Sequence, residues 1–304
     1  MSTPPLSLQL DGHDDWSSGN YTSEAAFSIL QRHLSPDEDQ GLPLERAFRA
    51  LNRMAYFPEL PSGTALEPSR EKARGKSRGV VMVMSRLLIH IVHQIPYHHP
   101  AQDKLVELIV RLSQSKHFIF PSYIEHTRMA YLMEELGEEN FFIFDFDGST
   151  YRGLTPEVIN TRAMNLSAFT ARLQSAGFDD DYPSDILRAM IQLEKEVKQE
   201  EEEAIFDPAA LSARIIAASM WIIYAGDYYH RAVVLSHPPV TTGRRSRDPD
   251  LDLELWKFWM RRFGEVASLA GVSEEARERS QEAVGIMEAL VESKEILCMC
   301  IFVW

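Results

Sequence analysis

Residues 141–150 read FFIFDFDGST. An apolar run leads into Asp145-Phe146-Asp147-Gly148-Ser149-Thr150, and the fold of the whole chain turns on what that run is. Read as a strand, it delivers two aspartates to the end of a parallel sheet, where one attacks a phosphate and the other acts as general acid. Read as a loop, it is a turn in a helical protein. Its aromatics, Phe141, Phe142, Phe144 and Phe146, then plug a helical core, and Asp145 and Asp147 bond nearby turn amides.

The surroundings favour the loop. The haloacid-dehalogenase-like phosphatases, whose D-x-D-G-T opening this stretch is close to, also need a later Ser or Thr at a strand end, a lysine and an acidic pair for Mg²⁺. After Thr150 the chain shows long helical periods and no second or third β-branched strand. Upstream the period is helical as well. Thr22–Leu34 and Leu44–Tyr56 form a first helical pair. A loop, FPELPSGTALEPSREKARGKSRG, ends in a basic cluster over Arg70–Arg78. The apolar stretch GVVMVMSRLLIHIVHQ then predicts a buried helix stopped by Pro96. Further helices are predicted near 101–114 and 121–136, each just after a proline. Thr155-Pro156-Glu157 opens another, with Thr155 as N-cap, that runs toward Gly177. One more starts at Pro183, and one capped by Asp207-Pro208 runs to about Leu235. After the loop SHPPVTTGRRSRDPD, two final helices span about 251–270 and 273–297, the second capped by Ser273. The fold class is all-α: a single large helical-bundle-like domain of roughly nine to eleven helices over 21–297. Residues 1–20, rich in Pro, Ser, Asp and Gly, are expected to be a disordered arm, and 298–304 an apolar tail.

Bulk properties narrow the function classes. The 304 residues carry a net charge of −14, which suits neither a nucleic-acid backbone nor an anionic membrane surface. No apolar run approaches the roughly 20 residues needed to cross a bilayer, and the N-terminus lacks the regions of a secretory signal. The two cysteines, Cys298 and Cys300, make no disulfide framework, so a cytoplasmic location is expected.

Several motifs suggest chemistry and fall short of it. Asp180-Asp181 is followed by Asp185, one residue too late for the D-D-x-x-D of helical terpene cyclases, and no N-D-x-x-S-x-x-x-E segment appears. The run FDDDYPSD instead precedes a helix, where acids are stabilised. His90 and His93 stand i, i+3 on one helix, with His98 and His99 beyond, but no H-E-x-x-H occurs. Neither a metal nor another cofactor is assigned. Glu200–Glu203 reads as a solvated helix end, and Arg244–Arg247 as a loop. The strongest periodic features are aromatic. Trp221, Tyr224 and Tyr228 are placed on one face of their helix, and Trp256, Trp259 and Phe263 on one face of theirs. Plain core packing explains both. A ligand pocket between helices is the alternative, with Trp221, Tyr224, Asp227, Tyr228, Trp256, Trp259 and Arg261 as candidate ligand-binding residues and His230 and Arg262 close by. No residue is assigned a catalytic role. The ending ILCMCIFVW is apolar and carries both cysteines; it suits docking in a groove, a homodimer contact or a protein partner.

NLSAFTARL at 165–173, AASMWIIYAG at 217–226 and WKFWMRRF at 256–263, followed by SEEARERSQEA, occur in an order that resembles a fungal family, domain of unknown function 3632. The resemblance covers about half of the chain, and order and spacing carry it more than any one motif. It implies an all-helical, intracellular fungal protein and carries over no catalytic residue. The expected function is accordingly a helical module that binds a protein partner or an apolar ligand. The alternative is an accessory protein or small enzyme of fungal secondary metabolism that uses the aromatic pocket.

Overall fold

Capping chemistry sets several helix boundaries in this chain, because the first amides of a helix need acceptors from outside it. The computed structural model describes residues 6–10, 17–18, 21–35, 41–55, 67–115, 154–178, 207–235 and 253–301, with Leu132, Leu136 and Met190 besides. Among the described residues there are eight helices. They are α1 (Ser23–Leu34), α2 (Leu44–Ala55), α3 (Glu67–Val92), α4 (Ala101–Ser113), α5 (Pro156–Ser175), α6 (Pro208–Leu235), α7 (Leu253–Val266) and α8 (Glu274–Ile301). A two-residue antiparallel ladder, β1 (Ser17–Ser18) on β2 (Tyr21–Thr22), completes the described elements. The chain is all-α, as expected. The further helices expected near 121–136 and from Pro183 lie outside the described residues, apart from helical Leu132, Leu136 and Met190. So do FFIFDFDGST at 141–150, Asp180, Asp181 and Asp185, Glu200–Glu203, Arg244–Arg247 and the last three residues.

The chain divides into two compact units, 1–141 and 142–304, and the division falls at Phe141–Phe142 inside the FFIFDFDGST run. In the first unit, α1 starts where the Thr22 hydroxyl accepts from the Ala25 amide at 3.1 Å. Its apolar side chains Ala26, Leu30 and Leu34 are buried, as are Ala47, Leu51 and Ala55 of α2, each series at intervals of four. Residues 80–92 of α3 are buried on nearly every face and form the core helix of this unit. The expected loop over 57–79 is corrected in part. Helix α3 begins at Glu67, so the basic stretch up to Arg78 is helical. Alternating Arg and Lys have good helix propensity, and Pro68 stands at a first-turn position that tolerates proline. The expectation of a disordered arm also changes at its centre. Leu8 is buried, and Gln9 is clasped by Gln94, two residues past the end of α3: its amide donates to Gln94 Oε1 at 2.7 Å and its carbonyl accepts from Gln94 Nε2 at 2.8 Å. Side-chain hydrogen bonds and one buried leucine tie down a segment whose composition alone is that of a flexible tail.

In the second unit, α5 is capped by Thr155, whose hydroxyl faces the Val158 amide at 3.5 Å, with Pro156 in the first turn. Donation from the same Thr155 side chain holds the exposed Glu157 carboxyl below its usual range. Gly177, at φ 84°, ends α5: Phe178 N–H donates to Leu173 O at 3.1 Å and Gly177 N–H to Gln174 O at 2.9 Å. Asp207 Oδ1 accepts from Ala209 N–H at 2.9 Å to start α6, and Ser273 Oγ from Ala276 N–H at 3.2 Å to start α8. Helix α6 packs against α5, α7 and α8 and is buried almost all round from Leu211 to Ile222. Its segment Pro208–Arg231 is long and apolar enough to cross a membrane by length and composition, which corrects the expectation that no such run exists. Here 72% of that window is buried inside the protein, the behaviour of a core helix.

Candidate functional site

Helix α6 presents its aromatics in two environments. Trp221 and Tyr229 have no exposed surface, and their rings meet edge-to-face with centroids 6.2 Å apart. Tyr224 and Tyr228 are half-buried. The buried face therefore runs through Trp221, Ile222, Ala225 and Tyr229, and of the expected Trp221–Tyr224–Tyr228 face it takes in only Trp221. Tyr224 and Tyr228 lie at its edge because the α6 core face is centred on the i, i+4, i+8 row, which carries Tyr229. Tyr228 still touches Tyr229 edge-to-face at 5.2 Å. In α7 the expected face holds: Trp256, Trp259, Phe263 and Val266 are buried. The Trp256 indole N–H reaches Met287 O of α8 at 3.5 Å, and its ring lies 5.4 Å from that of His230.

The polar candidates lie elsewhere. Asp227 is exposed and accepts from Arg231 Nε at 3.0 Å, one helical turn on. Arg261 is exposed, and Arg262 donates to Glu265 at 2.8 Å. Trp221, Trp256 and Trp259 are thus in the core, Tyr224 and Tyr228 at its edge, and Asp227 and Arg261 in solvent. They do not converge on one concave site.

Residues that sequence reasoning passed over supply the buried polar chemistry of this unit. Helix α5 buries Asn165, Ser167, Thr170, Arg172 and Gln174. The Arg172 guanidinium lies 3.5 Å from the centroid of the Tyr224 ring, and its Nη1 donates to Ala168 O at 3.2 Å. The Tyr229 hydroxyl donates to Gln174 Oε1. Thr170 and Ser219 return their hydroxyls to carbonyls one turn back, at 3.0 and 2.8 Å, and so are satisfied without a neighbour. Trp221 Nε1 and Ser167 Oγ are buried with no hydrogen-bond partner among the described residues. Nothing in a helical period distinguishes a buried arginine from an exposed one, so only packing could reveal Arg172.

Two of the histidines have backbone partners. His90 Nε2 stands 3.0 Å from Gln9 O, and the Ala101 amide donates to His99 Nδ1 at 3.1 Å. Among the described residues no group of three or more His, Cys, Asp or Glu could hold a metal ion.

The sequence model of a family described as protein of unknown function, DUF3632, matches residues 86–263, more than half of the chain. No curated protein and no solved structure matches it.

Proposed function

The chain belongs to the DUF3632 family, and from the geometry above we propose that it is a non-enzymatic helical module that acts by binding a protein partner. One observation carries this reading. The aromatic residues best suited to line a pocket are packed into the core, while Asp227 and Arg261, the polar groups that would orient a ligand, face solvent. A pocket needs the reverse arrangement, with a few polar groups convergent on an apolar cavity. The expected setting is the cytoplasm, and fractionation of the tagged chain tests that part.

A second reading has its own support. Trp221 Nε1 is a buried donor with no partner among the described residues, and it lies one turn from half-buried Tyr224, on whose ring Arg172 stacks. An unmet donor costs about 1–3 kcal/mol, which a small polar or aromatic ligand with an acceptor would recover. The two readings separate in one experiment: native mass spectrometry of the purified chain, followed by mass spectrometry of its organic extract. A bare chain mass and an empty extract support the protein-binding module. A stoichiometric small molecule overturns it and names the chemistry of the second reading.

A further inference from the structure

The first unit holds a buried titratable group that neither reading uses. His33 lies in the last turn of α1 and is 6% exposed. Its Nδ1 stands 2.9 Å from the carbonyl oxygen of Leu42, just before α2. Its Nε2 stands 3.3 Å from the carbonyl oxygen of Lys104 in α4. Both partners are backbone carbonyls, which only accept. A neutral imidazole has one N–H and one lone pair, so it satisfies one carbonyl and turns its lone pair toward the other. The imidazolium has two N–H groups and satisfies both without moving the ring.

We propose that His33 is a proton-linked latch: with both ring nitrogens protonated it ties the residue that leads into α2, and the body of α4, to the end of α1. Leu42 is held at two points, since its own amide donates to Arg32 O at 3.0 Å. The next residue, Pro43, receives the Arg46 and Ala47 amides at 2.9 and 3.0 Å, so the latch fixes where α2 begins. The last turn of α1 is a favourable place for a cation, because unpaired helix carbonyls gather there. The charged and titratable groups on the surrounding elements include Arg32 on α1, Glu45 and Arg46 on α2, Arg86 and His90 on α3, and Asp103, Lys104 and Glu107 on α4. All of these except half-buried His90 are exposed, so water screens them. Lys104, whose carbonyl faces the ring, directs its ammonium to Ser35 O at 2.9 Å.

The test uses the full ¹⁵N-labelled chain. Long-range ¹H–¹⁵N spectra count the protons on the His33 ring, with its signals assigned by their loss in His33→Gln. Amide exchange at Leu42, corrected for the intrinsic rate, reads the latch. On lowering the pH from roughly 8 to about 5.5, the proposal requires the wild-type ring to gain its second proton, and a ring that keeps a single proton throughout overturns it. Protection at Leu42 then rises by roughly tenfold or more, the worth of one charge-assisted bond. In His33→Gln, protection does not follow pH. Should His33 take up the second proton while Leu42 protection stays flat or falls, the latch is wrong. Both signals come from the wild type, so the test stands even where the variant does not fold.

Discussion

Tyr21 sits in β2 with no exposed surface. Burial pushes its phenol from the ordinary 10.0 up to about 12, and a bond with the Ser23 side chain pulls weakly the other way. The sign follows from which state ionises first. Below pH 10 the phenol is neutral in both states; between about 10 and 12 the unfolded chain loses the proton and the folded chain keeps it, so stability falls as pH rises through that window. The loss is at most about 2–3 kcal/mol. Urea midpoints should therefore drop more steeply above about pH 10 for the wild type than for Tyr21→Phe, and parallel curves would contradict the burial argument. Gly177 makes the second residue-level case. Its φ of 84° lies where a side chain is strained, although a Cβ there meets nothing within 4 Å. Gly177→Ala should cost about 1–2 kcal/mol through backbone strain alone, measurable as a lowered denaturation midpoint.

Helices are where glycine acts in the opposite direction. Gly285 lies in the middle of α8, exposed, with no atom within 4 Å of an added Cβ. Gly285→Ala should stabilise by up to about 1 kcal/mol by reducing the freedom of the unfolded chain and improving helix propensity. Gly226 of α6 differs, since a Cβ there would meet Ile286 at 3.4 Å and Leu290 at 3.5 Å on α8. Alanine fits at that distance; a larger residue would push α6 and α8 apart, so Gly226→Leu should lower the melting temperature where Gly285→Ala raises it. Helix α7 supplies the packing counterpart. Trp259 is 3% exposed on the same face as Trp256 and Phe263, and truncation to alanine should cost about 3–5 kcal/mol. An unchanged melting temperature for Trp259→Ala would remove it from the core and reopen the pocket reading.

At the scale of the whole molecule, the net charge of −14 makes a prediction that no local contact alters. The chain should bind an anion exchanger at neutral pH and pass through heparin at physiological salt, since it has no excess of cations with which to displace counterions from a polyanion. Retention on heparin in 0.15 M salt would show a basic surface strong enough to act against that balance.

Much of this architecture was legible beforehand, and the legible part was local. Thr155, Asp207 and Ser273 cap helices because a side-chain oxygen two or three residues from an amide reaches it whatever the rest of the chain does. The helical period, the Gly177 stop and the buried face of α7 follow from residue order in the same way. The capping reach and the 3.6-residue period are properties of a single helix, so sequence by itself determined them. The start of α3 at Glu67 and the docking of Leu8 on Gln31 and of Gln9 on Gln94 lay beyond that local reach, because composition describes a segment in isolation and neither partner lies nearby in sequence. Tertiary structure alone decided that Arg172 and Gln174 are buried while Asp227 and Arg261 are not, that Tyr229 rather than Tyr224 completes the α6 core face, and that His33 meets two carbonyls. Those outcomes depend on which helix lies opposite, and burial is a relation between elements, which a period within one element does not encode.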